Sequence, residues 1–155
     1  MELSVFSFLL RLIGLNFLWP RTINDKNMKR VRIKMEFIFR ASPTILYQFL
    51  TTPACLVRWF CDEVDINGEV FTFSWGGFDE EALLLDDIED ELLRFRWIES
   101  SDEKEYFEFK IYESPVTGET ILELTDFCEA GEEKDQKQYW ATQMQKLQKE
   151  TGGFG

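Results

Sequence analysis

Residues 31–60 read VRIKMEFIFR ASPTILYQFL TTPACLVRWF, and the change of hydrophobic period inside this stretch decides the fold. In its first ten residues Val31, Ile33, Met35, Phe37 and Phe39 alternate with Arg32, Lys34, Glu36, Ile38 and Arg40, the period of two that marks a half-buried strand. Ala41-Ser42-Pro43 stops that strand. Ser42 is a natural N-cap, and Pro43 suits the first helical position, where no N–H is needed. A helix through about Leu50 puts Ile45, Leu46, Phe49 and Leu50 on one face. Thr52-Pro53 then breaks the chain before a second short helix from about Ala54 to Trp59. A strand feeding two short helices separated by a proline makes a bent arm.

Beyond Cys61 the period returns to two. A short strand at Glu63–Ile66 and a longer one at Glu69–Trp75 flank Asn67-Gly68, a strong local signal for a hairpin. In the longer one Phe71, Phe73 and Trp75 share a face opposite Val70, Thr72 and Ser74. Further strands are expected at Glu80–Ile88, Glu91–Glu99, Tyr106–Glu113 and Glu119–Phe127, separated by acidic or Gly/Pro-containing turns. Leu93, Phe95 and Trp97 alternate with Arg94 and Arg96, and Phe107, Phe109 and Ile111 with Glu108 and Lys110. Each strand thus has one wet face, and the sheet is expected to be covered on one side only. From about Lys134 the period becomes helical. Trp140, Met144 and Leu147 form a stripe with Tyr139 beside it, and Gly152-Gly153 ends the helix. The expectation is an α+β domain, β-α-α-β6-α, whose seven-stranded antiparallel sheet is lidded by one long C-terminal helix.

This order resembles the helix-grip superfamily of START-like and Bet v 1-like domains. Local phrases carry the resemblance further. Arg40-Ala41-Ser42-Pro43, running through Leu50-Thr51-Thr52-Pro53 to Arg58-Trp59-Phe60, is similar to the opening of the Hsp90-ATPase-activator-homologue branch. Gly68 followed by Phe71-Thr72-Phe73-Ser74-Trp75, then Leu92-Leu93-Arg94-Phe95-Arg96-Trp97 and a final helix with an early Trp140, continue the same pattern over about residues 31–148. The resemblance implies a curved sheet gripping the helix around a cavity for a hydrophobic small molecule or lipid. It carries no catalytic residue set and implies no cofactor, because one fold of this kind hosts carriers, cyclases, receptors and co-chaperones.

The residues placed to line such a cavity are Trp59, Phe71, Phe73, Trp75, Leu93, Phe95, Trp97, Phe107, Phe109, Tyr139, Trp140 and Met144. An aromatic face opposite a helix is also the ordinary make-up of a core, and in this fold lining and core are one surface. Trp59-Phe60 reads either as a gate at the cavity mouth or as a core plug. Gly76-Gly77 has no following helix or Lys-Ser/Thr and is a turn, not a phosphate loop. Asp86-Asp87, Glu89-Asp90-Glu91 and Glu129–Glu133 read as solvated turns and a helix approach rather than metal or catalytic carboxylates.

Composition narrows the function classes. With 17 Lys plus Arg against 29 Asp plus Glu the net charge is −12, which repels nucleic acid. The charge is uneven: residues 28–61 hold six basic and one acidic side chain, and residues 62–155 hold eight basic and twenty-six acidic. An acidic half suits a partner protein with a basic surface, the second reading of function. Histidine is absent, which removes the commonest general base, metal ligand and nucleophile partner. A cofactor-free cyclase or hydrolase is therefore the third reading. Cys55, Cys61 and Cys128 are odd in number and form no C-x-x-C pair, so thiols in a reducing cytoplasm are expected rather than disulfides or zinc.

Residues 1–27 include the apolar run LSVFSFLLRLIGLNFLW from Leu3 to Trp19. It lacks the basic start and small-residue end of a secretory signal, and it carries Arg11 and Asn16 near its middle, so no stable membrane anchor is expected. An interfacial helix is one reading, and an upstream extension of the reading frame with Met28 as the start is the other. The domain is expected over 28–151, with 152–155 a tail. A chain beginning at Met28 should melt cooperatively within about 3 °C of the full chain, well under about 1 kcal/mol at this size. A molten or insoluble product in calorimetry would show that the leader packs on the core.

Overall fold

The computed structural model describes residues 29–152. The two readings of residues 1–27 lie outside them, as does Gly153. The element order is β1 (Arg30–Phe39), α1 (Pro43–Thr51), α2 (Pro53–Leu56), β2 (Glu63–Asn67), β3 (Val70–Trp75), β4 (Phe78–Ile88), β5 (Leu92–Trp97), β6 (Phe107–Glu113), β7 (Thr120–Glu129) and α3 (Glu133–Glu150). All seven strands form one antiparallel sheet in the order β1-β7-β6-β5-β4-β3-β2. It is an α+β, helix-grip arrangement. The meander β2 to β7 is local, and only β1 pairs far along the chain, from Arg30 opposite Glu129 to Phe39 opposite Thr120.

Local chemistry accounts for the punctuation. Ser42 Oγ accepts the Ile45 N–H at 3.3 Å, with Pro43 next in line, so α1 starts where sequence rules place it. In the β3–β4 turn Gly76 and Gly77 have φ of 54° and 85° between the paired Trp75 and Phe78, a two-residue hairpin turn that only glycine enters without strain. The β2–β3 turn lies one residue later than the Asn-Gly signal suggests: Asn67 pairs with Val70, leaving Gly68-Glu69 as the loop.

Three other expectations change. Ile45 is 40 % exposed, so the buried face of α1 is Leu46, Phe49 and Leu50. The second helix is only Pro53–Leu56. Residues 57–60 form a turn in which the Phe60 and Cys61 N–H groups both reach back to Leu56 O, and this carries Trp59 and Phe60 inward. Glu108, assigned to a wet face, is buried because Arg94 spans it at 2.6 Å and lies over the Tyr106 ring.

The register of β4 shifts between Leu84 and Asp86, a β-bulge that reverses which residues face inward beyond it. Asp87 is thereby set opposite Leu93, on the inner face. There it accepts the Tyr47 hydroxyl at 2.6 Å while Asp90 Oδ2 accepts Thr44 Oγ1 at 2.8 Å. The bulge thus ties α1 to the β4–β5 hairpin.

Helix α3 lies against β1 and β7, α1 against β6, and α2 against β2. Trp140 is the largest side chain in the contact and is 1 % exposed. Trp140→Ala should cost about 3–5 kcal/mol, the usual range for emptying a buried aromatic site. Denaturant unfolding checks it, and a loss below about 1 kcal/mol would take Trp140 out of the helix–sheet contact.

Candidate functional site

Alternation along β3, β5 and β6 brings Phe71, Phe73, Trp75, Leu93, Phe95, Trp97, Phe107 and Phe109 to the inner face, and helical spacing turns Tyr139, Trp140 and Met144 towards it. With Trp59, all twelve sequence-selected residues are buried in one continuous core. Phe71 meets Phe95 edge-on at 5.1 Å, Phe95 stacks on Phe107 at 5.1 Å, and Trp97 stacks on Phe107 at 4.7 Å. Phe109 passes the contact to Trp140 at 5.9 Å and to Trp59 at 6.3 Å. These offset and edge arrangements suit ring quadrupoles.

Phe60 was not among the twelve, yet it joins the two ends of this band. It lies 4.9 Å from Phe73, 5.4 Å from Trp75 and 6.2 Å from Trp140. Its backbone carbonyl also accepts the Trp75 indole N–H at 2.7 Å, and Phe49 O accepts the Trp59 indole N–H at 2.9 Å. Both indoles are satisfied by carbonyls from the arm, and Trp59-Phe60 sits as a plug in the core.

Polar groups occur inside as well. Asp126 is 5 % exposed. Its Oδ2 accepts Trp140 Nε1–H at 2.8 Å and Gln136 Nε2–H at 2.7 Å, and its Oδ1 accepts the Phe127 N–H at 2.8 Å. Burial raises its pKa to about 6, against the opposing pull of those donors and of Arg30. Gln143 donates to the Tyr139 hydroxyl at 3.3 Å. Burial lifts that phenol well above its ordinary value, and the Gln143 hydrogen bond works the other way. Glu80, opposite Phe73 in the ladder, is buried too. Burial pushes the Cys61 thiol up to about 12 and the Cys128 thiol up to about 11, so both are protonated at neutral pH and poor nucleophiles. Among the described residues no group of three or more His, Cys, Asp or Glu is placed to hold a metal ion, and no helix is long and apolar enough to cross a membrane.

A signal for these polar residues existed. Leu122, Leu124, Asp126 and Cys128 alternate along β7, and Gln136 and Gln143 stand four before and three after Trp140 on the buried stripe. Reading only apolar residues for the inner face passed over them.

The family model described as START-like superfamily domain matches residues 27–153. No curated protein matches the chain. Among solved structures, a protein from Bacteroides fragilis is 36 % identical, with 83 % of this chain and 95 % of that one covered and a TM-score of 0.60. The Aha1 dimer from Colwellia psychrerythraea is 19 % identical, covering 78 % of this chain and 96 % of that one, with a TM-score of 0.66. DynU16, a putative protein in the dynemicin biosynthetic locus, is 17 % identical with a TM-score of 0.66, over 79 % of this chain and 48 % of that one. The last two likenesses are of fold.

Asp126 gives the site a pH signature. Its folded pKa of about 6 lies above the ordinary 3.8, so the folded state binds this proton more tightly than the unfolded one. The contribution is fully present below about pH 4 and is lost as pH rises through about 6. Its full size is about 3 kcal/mol. Asp126→Asn keeps an acceptor for Trp140 Nε1–H without the charge, so its advantage over the parent should grow from pH 4 to pH 7. Parallel stability curves in urea titrations would contradict this assignment.

Proposed function

Because the chain belongs to the START-like superfamily, we propose that it is a non-catalytic binding domain that holds a hydrophobic small molecule or lipid between the inner face of the sheet and α3. START-like domains commonly bind hydrophobic ligands. The observation that carries the reading for this chain is the unbroken band of rings from Phe71 through Phe95, Phe107 and Phe109 to Trp140. Rigid rings fill space irregularly, and an apolar guest completes such packing without needing designed polar partners. The three free thiols suit a reducing cytoplasm.

The polar groups nearest the band do not form a reacting set. Both Asp126 oxygens already accept protein N–H donors, and the Tyr139 phenol is held protonated by burial. The reading is accordingly a carrier or sensor rather than a cyclase or hydrolase.

A thermal-shift screen with fatty acids and uncharged aromatic probes tests it. Binding stabilises by RT ln(1 + [L]/Kd), about 2.7 kcal/mol at a hundredfold excess, which is several degrees for a domain of this size. Phe95→Trp adds bulk in the middle of the band and should blunt the response. If no probe raises the melting temperature, or the filled variant responds as the parent does, the interior is not a binding site.

A further inference from the structure

At the end of the sheet nearest the start of α1, the β4–β5 hairpin curls away from β6. The last β5 partner of β6 is Leu92, opposite Lys110. Strand β6 runs on to Glu113, paired there with Thr120 of β7. The divergence leaves a groove of about 580 Å³. Its apolar lining is largely aliphatic, with Pro43, Ile88, Leu92 and Ile111 beside Tyr112, and Ile88 is 45 % exposed whereas Ile111 is buried. Its rim is acidic: Asp90, Glu91 and Glu113 stand against one cation, Lys110. Asp86, Asp87 and Glu89 of the same hairpin add to the negative field.

Two details give the groove a direction. Ile111 N–H donates to Glu91 O at 2.7 Å. Alternation along an antiparallel strand puts the N–H of Glu113, two residues on, on the same side and beyond the last β5 partner. Asp90 is the one non-glycine described residue with positive φ, 65°. Its Oδ2 is fixed by Thr44 Oγ1 at 2.8 Å and its Oδ1 is buried without a hydrogen bond, so Glu91 and Glu113 are the rim carboxylates open to a ligand.

We propose that this groove docks an extended segment of a partner protein in which aliphatic side chains are flanked by Lys or Arg. Each part of the surface has a counterpart in such a segment. The apolar lining takes an aliphatic side chain, the carboxylates take the cations, and the Glu113 N–H takes a backbone carbonyl. Nucleic acid has the wrong sign, and a small cation would leave the apolar lining unused. The proposal stands apart from the interior reading and does not depend on it.

The test is an amide-resolved NMR titration of the full chain with three capped peptides. They are Lys-Val-Arg-Ile-Lys-Val, its charge-reversed form Glu-Val-Glu-Ile-Glu-Val, and hexalysine. The basic aliphatic peptide should shift the amides of residues 44, 88–92 and 110–113, bind about tenfold more tightly than either control, and weaken with added salt. Glu91→Lys with Glu113→Lys, and separately Ile88→Asp, should each weaken it several-fold while the other amides keep their positions. Equal binding of hexalysine would reduce the effect to a diffuse acidic field and overturn the proposal. So would shifts centred elsewhere, or no binding. Peptide-free shifts of the same residues that follow protein concentration would assign the groove to a second copy of the chain instead. The probes here are charged peptides read by position, so this test can fail without touching the interior site, and the thermal-shift screen can fail without touching the groove.

Discussion

Most of the architecture depends on keeping α3 on the sheet, and α3 is an unpromising helix for that task. Of its eighteen residues only Tyr139, Trp140, Met144 and Leu147 are large, apolar and buried, and most of the others are Lys, Gln, Glu, Asp or Thr. Four such side chains, at about 1.5–3 kcal/mol each for full burial, favour contact but specify register poorly. Register comes from Asp126. One carboxylate oxygen receives donors from Gln136 and Trp140, one turn apart on α3, so sliding the helix by a turn would strand a buried charge. A buried carboxylate is costly even when satisfied, and its raised pKa measures that cost. Here the polar clasp orients the helix, and the aromatic contacts supply most of the attraction.

The fold was largely legible because its signals are local. The two-residue period over Val31–Phe39, the cap at Ser42-Pro43, and the switch to helical spacing before Trp140 each depend on a few adjacent residues, and the three elements they mark are found within a residue or two. The bulge at Leu85 was not legible. Nothing in FDEEALLLDDI marks where the ladder slips, and only the partner strand fixes that Asp87 rather than Asp86 turns inward. Phe60, readable as half of a gate or plug, is missing from the lining set for a similar reason, since its contacts depend on a turn after α2 where the spacing reads as more helix. The twelve chosen aromatic and aliphatic residues do meet in one core, but composition could not indicate that Asp126, Gln136, Gln143 and Glu80 would join them. For the first three, position on the inward alternation of β7 or the buried stripe of α3 was the available signal, and the partner that makes burial of Asp126 tolerable lies on another element.

Charge divides the molecule by depth as well as along the chain. The inner face carries few carboxylates, and Asp126 is surrounded by donors, whereas the β4–β5 hairpin carries five acids among the six residues 86–91. Clustered like charges at a loop repel one another and weaken the compact state slightly. The hairpin tolerates them because two are tied to α1, Asp87 through Tyr47 and Asp90 through Thr44. The Tyr47 phenol is correspondingly harder to ionise, through its own burial first and then through Asp87, Glu89 and Asp90. A field of this strength on an exposed loop affects the rate of encounter with a basic surface more than the stability of the fold.

Helix α1 belongs to both environments. Leu46, Phe49 and Leu50 seal one side of the core, and Phe49 O holds the Trp59 indole, while Pro43 lines the outer groove and Thr44 and Tyr47 anchor the acidic hairpin. A guest in the proposed interior site would meet the inner side of α1, and a peptide in the proposed groove would meet its N-terminal end. Both would then act on the position of one nine-residue helix. Free energy that either ligand spends on moving α1 changes the affinity for the other by the same amount, because linkage between two sites on one molecule is reciprocal. Coupling of this kind needs no pathway through the sheet. It requires only that α1 settle differently when the interior is filled, and two hydroxyl–carboxylate hydrogen bonds then carry the difference to the hairpin.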